Sequence, residues 1–205
     1  MNTRDEILQR LHQNTREVYD MPDLSGLVPI TYDDVVEEFK TKTTTVAGAK
    51  LLEMHKGDDM NQLVREAYPD AKVIASNLPG VKADMNPDTV SEAQELERVD
   101  VGVIRGTVGV AENACIWVPQ TMKERAVCFA SQYLVIVLSA DQIVSNMHEA
   151  YQRIADCSEY FHPYPFGTFI SGPSKTADIE SALVYGAQAA RGVTVVLADS
   201  NIFAF

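Results

Sequence analysis

The segment TFISGPSKTADIESALVYG, residues 168–186, concentrates hydroxyl and charged side chains that could hold an anion. Its pattern predicts a strand that breaks at Gly172-Pro173 and a helix over 175–187, with Ser174 as the N-cap. Free N–H groups at a helix N-terminus beyond a strand end often bind anions in α/β proteins. We therefore expect a carboxylate or phosphate site here. Its candidate ligand-binding residues are Ser171, Gly172, Ser174, Lys175, Thr176 and Asp178.

A purely structural interpretation of the same residues is also available. Ser174 would cap the helix, Lys175 would be solvated, and the acids Asp178 and Glu180 would complement the helix dipole. Those acids would also repel an anion, and capped helix starts are commoner than binding sites. The segment contains no Walker phosphate loop, and no dinucleotide-binding glycine fingerprint is complete in the chain.

A second candidate lies in VDVGVIRGTVGVAENACIWVP, residues 99–119, where alternating apolar residues predict buried strand. Glu112 and Asn113 interrupt that pattern. If Glu112 is buried, its displaced pKa would suit proton transfer or nucleophilic attack, so it is the candidate catalytic residue. The alternative is that Glu112 lies on an exposed turn and has no chemical role.

The remaining metal-ligating residue types show no useful spacing. The cysteines Cys115, Cys128 and Cys157 are odd in number and form no C-x-x-C pair, which argues against a disulfide framework, a zinc ribbon or an iron–sulfur cluster. The four histidines form no ligand pattern either. We expect no metal and no cofactor.

Net charge and hydropathy argue against nucleic acid and membranes as partners. The formal charge of −12 opposes nonspecific binding to nucleic acid or to an anionic membrane surface. The longest apolar run, residues 133–138, is far shorter than a bilayer-spanning helix, and the N-terminus lacks a signal-peptide pattern. We expect a cytoplasmic protein.

The N-terminal residues predict an amphipathic helix over 3–19. Thr3 and Glu6 fit a capping box, and the apolar stripe consists of Ile7, Leu8, Leu11 and Val18. A Pro- and Gly-containing linker follows, so the chain divides into an N-terminal helix and linker, 1–29, and an α/β domain, 30–205. The helix needs a partner surface, and we expect it to be a second copy in a homodimer.

The rest of the chain alternates between strand-like and helix-like segments. Strands are expected at 49–54, 72–76, within 99–118, and at 133–138, 168–171 and 193–199, and helices after 31 and 58 and at 88–97, 141–155 and 175–187. Near-continuous Val, Ile and Leu runs favour a layered α/β domain with a mixed or parallel sheet covered on both faces.

Residues 170–199, ISGPSKTADIESALVYGAQAARGVTVVLAD, resemble the C-terminal signature of the LutC/YkgG family, the LUD-domain lactate-utilisation proteins. Lys175 stands where arginine is usual in that signature. Upstream, VGVAENACIWVP is similar to the family's Ala-Glu-Thr-Gly-Thr strand and loop. Ala111 and Glu112 match that pattern, whereas Asn113, Ala114 and Cys115 replace Thr-Gly-Thr.

The resemblance implies a fold similar to the NagB/RpiA/CoA-transferase group and a role in oxidising L-lactate to pyruvate beside two partner proteins with iron–sulfur motifs. Three functions stay open. The chain is a non-redox subunit that binds a small anionic metabolite at 171–178, or a stand-alone enzyme on a sugar phosphate or CoA thioester with Glu112 as base or nucleophile and Lys175 as anion anchor. The third is a regulatory or assembly module that acts through its first helix.

Overall fold

The computed structural model describes residues 3–157 except 16 and 18, and residues 166–200 except 180. The α-helices in these ranges are α1 (Thr3–Asn14), α2 (Val35–Thr45), α3 (Met60–Ala67), α4 (Val127–Ala130) and α5 (Met147–Asp156). The strands are β1 (Lys50–Met54), β2 (Ile74–Ala75), β3 (Val101–Arg105), β4 (Val108–Val110), β5 (Cys115–Pro119), β6 (Tyr133–Ser139), β7 (Ile143–Val144), β8 (Gly167–Ile170), β9 (Lys175–Ile179), β10 (Ala182–Tyr185) and β11 (Gly192–Ala198).

A five-stranded parallel sheet, in the order β1-β11-β6-β3-β2, lies at the centre of the fold. Successive residues of β6 point into different core clusters. Ile136 shares one cluster with Phe39 of α2, and Val137 shares the other with Val64 of α3. A strand buried on both faces needs an apolar side chain at every position, which explains the run at 133–138.

A second, four-stranded sheet, in the order β7-β4-β5-β8, packs against one face of the parallel sheet. Ile116 and Val118 of β5 join the cluster that contains Ile136. On the other face of the second sheet, Val110 of β4 packs with Ile154 of α5. Layers of helix and sheet therefore follow one another, and the predicted layered α/β class is confirmed.

The predicted helix over 175–187 is wrong. This segment forms an antiparallel hairpin of β9 and β10, which we call the β-arm (residues 175–185). The turn between its strands includes Ser181 with a positive φ of 58°. At the base of the β-arm, the Ser174 N–H donates to the Ala190 carbonyl at 2.9 Å, and the Gly186 N–H donates to the Ser174 carbonyl at 3.0 Å. The backbone N–H and carbonyl groups of this segment are therefore paired between two strands and not along a helix.

Two other helix predictions need correction. The helix expected at 88–97 is a shorter 3₁₀ helix, Ala93–Arg98. The helix expected at 141–155 begins at Met147, because a 3₁₀ turn and β7 occupy the preceding residues. The Asn146 side chain accepts the N–H of Glu149 and so caps α5.

The predicted N-terminal helix is present as α1, but it ends at Asn14 rather than at residue 19. Its apolar stripe lies in solvent: Ile7 is 54%, Leu8 39% and Leu11 60% exposed. Val18, the fourth predicted member of the stripe, lies outside the described residues. Among the described residues, no helix has the length and hydropathy needed to cross a membrane.

Candidate functional site

Three segments distant in sequence meet beside the second sheet. They are the two residues that follow α2 (Val46 and Ala47), the turn between β4 and β5 (residues 111–114) and the loop 171–175; we call this meeting point the junction. Pairing of β8 with β5 brings the loop to the turn, since Ile170 lies opposite Ile116. The Ser171 hydroxyl then donates to the carbonyl of Asn113 at 3.0 Å. The junction therefore brings together the two stretches that the sequence singled out.

Gly172 makes the close approach of the loop to α2 possible. Its φ of +68° lies in the left-handed region, which side chains with a Cβ rarely adopt. A Cβ at this position would also collide with the carbonyl oxygen of Ala47. Backbone conformation and lack of space both require glycine here.

Lys175 completes the contact with α2. Its Nζ donates to the carbonyl of Val46 at 3.4 Å and, more closely, to the carbonyl of Ala47. Carbonyl groups at a helix C-terminus carry partial negative charge, so a cation stabilises them. The ammonium expected to anchor an anion is therefore already paired with the two carbonyls that directly follow α2.

The remaining predicted ligand-binding residues are divided between two places. Ser174 lies at the base of the β-arm, where its backbone groups are paired. Thr176 and Asp178 lie on β9, and Asp178 is exposed. The Thr176 hydroxyl accepts the N–H of Asp178 at 3.3 Å. The helix N-terminus on which the anion site was predicted does not exist, and any anion site here must use other donors.

Glu112 itself is exposed, although Ala111 and Ala114 of the same turn are buried. Its Oε2 accepts the N–H of Met147, the first residue of α5, at 2.9 Å. Its own N–H donates to the Ser145 carbonyl at 2.9 Å. A carboxylate at a helix N-terminus stabilises the helix dipole, so the contacts of Glu112 are those of a helix cap.

The three residues that depart from the family pattern shape this turn. The Asn113 side chain accepts the N–H of Cys115 at 3.1 Å, and Ala114 takes a positive φ of 55°. Cys115 is buried, and burial raises the pKa of its thiol to about 12. The thiol is therefore protonated near neutral pH and is not a nucleophile there.

A lysine that the sequence did not single out also lies at the turn. Lys42 Nζ donates to the Tyr32 hydroxyl at 2.9 Å and to the Glu112 carbonyl at 3.3 Å, and it pairs with Glu38 at 3.0 Å. The hydrogen bond to Tyr32, followed by that to Glu38, raises the pKa of Lys42. It is a fixed positive charge beside the turn. Its spacing from Glu38 was visible in the sequence, but its contact with residue 112 was not.

Metal-ligating residues do not cluster at the junction. No group of three or more His, Cys, Asp or Glu side chains with metal-site geometry occurs within the described ranges.

The LUD domain family matches residues 83–198, which include the β4–β5 turn, the loop 171–175 and the β-arm. The match covers more than half of the chain, and the chain belongs to the LUD domain family. The resemblance identified from residues 170–199 is thereby confirmed.

Two curated relatives are both named Lactate utilization protein C. The protein from an Exiguobacterium species is 27% identical, and the alignment covers 96% of each chain. The protein from Shouchella clausii is 26% identical over 124 residues, which cover 60% of this chain and 54% of that one.

Among solved structures, the crystal structure of a DUF162 family protein from Deinococcus radiodurans matches with a TM-score of 0.62. The two chains are 16% identical, and the match covers 83% of this chain and 99% of that one. At this identity the likeness concerns the fold alone.

The fit of Gly172 against Ala47 generates a stability prediction. Gly172→Ala should lower the free energy of unfolding by about 3 kcal/mol or more, because it combines backbone strain with displacement of a helix-terminal carbonyl. Gly80→Ala is the matched control: Gly80 also has a positive φ, +82°, but nothing lies within 4 Å of an added Cβ. It should cost about 1–2 kcal/mol. Urea unfolding of both variants measures the difference, and equal costs would contradict the collision.

Proposed function

We propose that this chain acts in an L-lactate utilisation system as a subunit that binds a small anionic metabolite. The observation that carries the proposal is the alignment with Lactate utilization protein C of Exiguobacterium over 96% of both chains. An alignment of this extent covers nearly the whole length of both chains, so it supports a role for the chain as a whole rather than for the LUD domain alone. We further propose that the system is cytoplasmic.

Oxidation of L-lactate to pyruvate releases two electrons and two protons, and an acceptor must take the electrons. We propose that partner proteins with iron–sulfur motifs, as the resemblance implies, carry that redox step. In this proposal the chain has no redox cofactor of its own, and its contribution is binding and assembly.

We place the metabolite at the junction, beside Ser171 and Lys175. An ammonium group has three donors, and two of those of Lys175 point to the carbonyls of Val46 and Ala47. The third donor is available to a carboxylate. The Ser171 hydroxyl, which donates to Asn113, still has lone pairs to accept a hydroxyl proton of a 2-hydroxy acid. Gly172 and Ser174 belong to the same loop, and Thr176 and Asp178 follow it on β9.

The enzyme alternative would require Glu112 and Lys175 to act on one substrate. The carboxylate of Glu112 contacts the start of α5, whereas the ammonium of Lys175 contacts the end of α2. Each group is thus already engaged by a different backbone segment, so we favour the binding subunit over an enzyme for sugar phosphates or CoA thioesters.

The assembly alternative is favoured by one observation, the exposure of α1. Its stripe of Ile7, Leu8 and Leu11 has no covering surface within the described residues, and a short amphipathic helix is marginal in water alone. We propose that α1 packs against a second copy in a homodimer, which is compatible with the binding role.

Growth of the host tests the lactate role. Deletion of the gene should abolish or strongly slow growth on L-lactate as sole carbon source and leave growth on glucose unchanged. A plasmid copy should restore growth on lactate, and growth curves of the three strains are the measurement. Normal growth of the deletion strain on L-lactate would contradict the proposal.

Ligand-dependent thermal stability tests the junction site. L-lactate or pyruvate should raise the melting temperature of the wild type in a concentration-dependent manner, because a ligand that binds the folded state stabilises it. Lys175→Gln should reduce that rise by at least about half, because it removes the ammonium group proposed to donate to the carboxylate of the ligand. Lys82→Gln is a control that removes the same charge from an exposed position away from the loop. A rise of equal size in wild type and Lys175→Gln, or no rise at all, would exclude this site.

Light scattering of the full chain tests the dimer. The wild type should have the mass of a dimer, and Leu11→Lys should shift it to a monomer, because it places a charge in the apolar stripe of α1. Gln9→Lys adds the same charge on the opposite face of the helix and should leave the dimer intact. A monomeric wild type, or a dimer that both substitutions leave unchanged, would rule out α1 as the dimerising element.

A further inference from the structure

A groove runs along the edge of the parallel sheet where its strands begin. One part, of about 340 Å³, lies between the amino ends of β1 and β6 and the segment after α3. An adjoining part, of about 390 Å³, continues to the turn 186–189 at the base of the β-arm. Gln132 and Arg191 line both parts. These volumes are in the range of small-molecule sites.

Two cations in this groove are positioned by tyrosine rings. The guanidinium of Arg191 lies over the ring of Tyr133, 4.9 Å from its centroid. Lys50 Nζ lies 5.8 Å from the centroid of Tyr68. The two rings are neighbours, with centroids 4.9 Å apart. Lys50 and Arg191 are thus held over adjacent aromatic faces in one groove.

Arg191 is held in place by a further contact. Its Nη2 donates to Oε1 of Gln132 at 2.7 Å. A guanidinium fixed by a stack and a hydrogen bond loses little conformational entropy when it binds a ligand. Within the described residues, no carboxylate oxygen lies within the 4.0 Å ion-pair distance of Arg191 or Lys50. Their positive charges are available to a ligand.

The groove also contains the acidic residues Asp70 and Asp100. The Asp100 carboxylate accepts the N–H groups of Lys72 and Val73 at 2.8 and 3.0 Å. The bond from Val73, followed by that from Lys72, lowers the pKa of Asp100, so its charge is satisfied by the backbone. The acids limit how much negative charge the groove accepts, which disfavours long polyanions such as nucleic acid.

We propose that this groove binds a small dianionic metabolite, a dicarboxylate or a phosphate monoester. Arg191 would bind one carboxylate, or two oxygens of the phosphate group, through its planar pair of donors, and Lys50 would bind the second carboxylate or the same phosphate group. A monoanion such as lactate can satisfy only one of the two cations. The residues that line this groove differ from those of the junction, and the proposal does not depend on the proposed lactate role.

Isothermal titration calorimetry of the full chain with succinate, inorganic phosphate and acetate tests this site. Succinate or phosphate should bind at one site per chain, at least about tenfold more tightly than acetate. If succinate binds more tightly than phosphate, the ligand is a dicarboxylate; if phosphate binds more tightly, the ligand is a phosphate ester. Arg191→Gln and Lys50→Gln should each weaken the binding of that ligand at least about tenfold.

The control is Lys56→Gln, which removes the same charge just after the carboxyl end of β1, at the opposite edge of the sheet. It should change the affinity less than about twofold. Circular dichroism of each variant verifies that it is folded. Three results would overturn the proposal: no binding of either dianion, unchanged affinity in Arg191→Gln and Lys50→Gln, or an equal loss in Lys56→Gln.

Discussion

The carbonyl oxygen of Ala47, two residues beyond the end of α2, is the group on which the candidate site depends. It occupies the space that a Cβ at residue 172 would need, and it accepts a hydrogen bond from Lys175. These two contacts fix the loop 171–175, from which the β-arm extends and from which Ser171 reaches the β4–β5 turn. The signature segment of this LUD domain is therefore organised by a helix C-terminus. A helix C-terminus attracts cations, which accounts for two of the three donors of the lysine at this position.

The sheet was predictable because burial on both faces leaves a strong sequence signal. Strands expected at 133–138 and 193–199 are β6 and β11 at 133–139 and 192–198, and their side chains point into both core clusters. The segment 175–187 was mispredicted because Ser174 fits an N-cap, and Ala, Glu and Leu favour helix. Its hairpin form depends on the pairing of β9 with β10 and on the bonds of Ser174 to Gly186 and Ala190 at the base of the β-arm, which local helix propensity does not reveal.

The site was predictable only in part. The sequence selected Glu112 and Ser171 as candidates, and the structure brings their segments into contact through Asn113. It could not indicate that Glu112 would cap α5, because that contact spans 35 residues. The groove gave no sequence signal either, since Lys50 and Arg191 are isolated cations that look like ordinary solvated residues. Their proximity results from strand order, which places β1 beside β11.

Hydrogen–deuterium exchange of the wild type and Lys175→Met tests the claim that Lys175 and Ala47 hold the signature loop. Met keeps much of the apolar stem and removes the ammonium, so only the bonds to the α2 carbonyls are lost. Exchange in residues 171–179 and at the end of α2 should become faster, and exchange in β6 and β11 should stay unchanged, because the sheet core does not depend on this contact. Unchanged exchange in 171–179 would contradict the claim, since the loop would then be held by contacts other than the Lys175 ammonium.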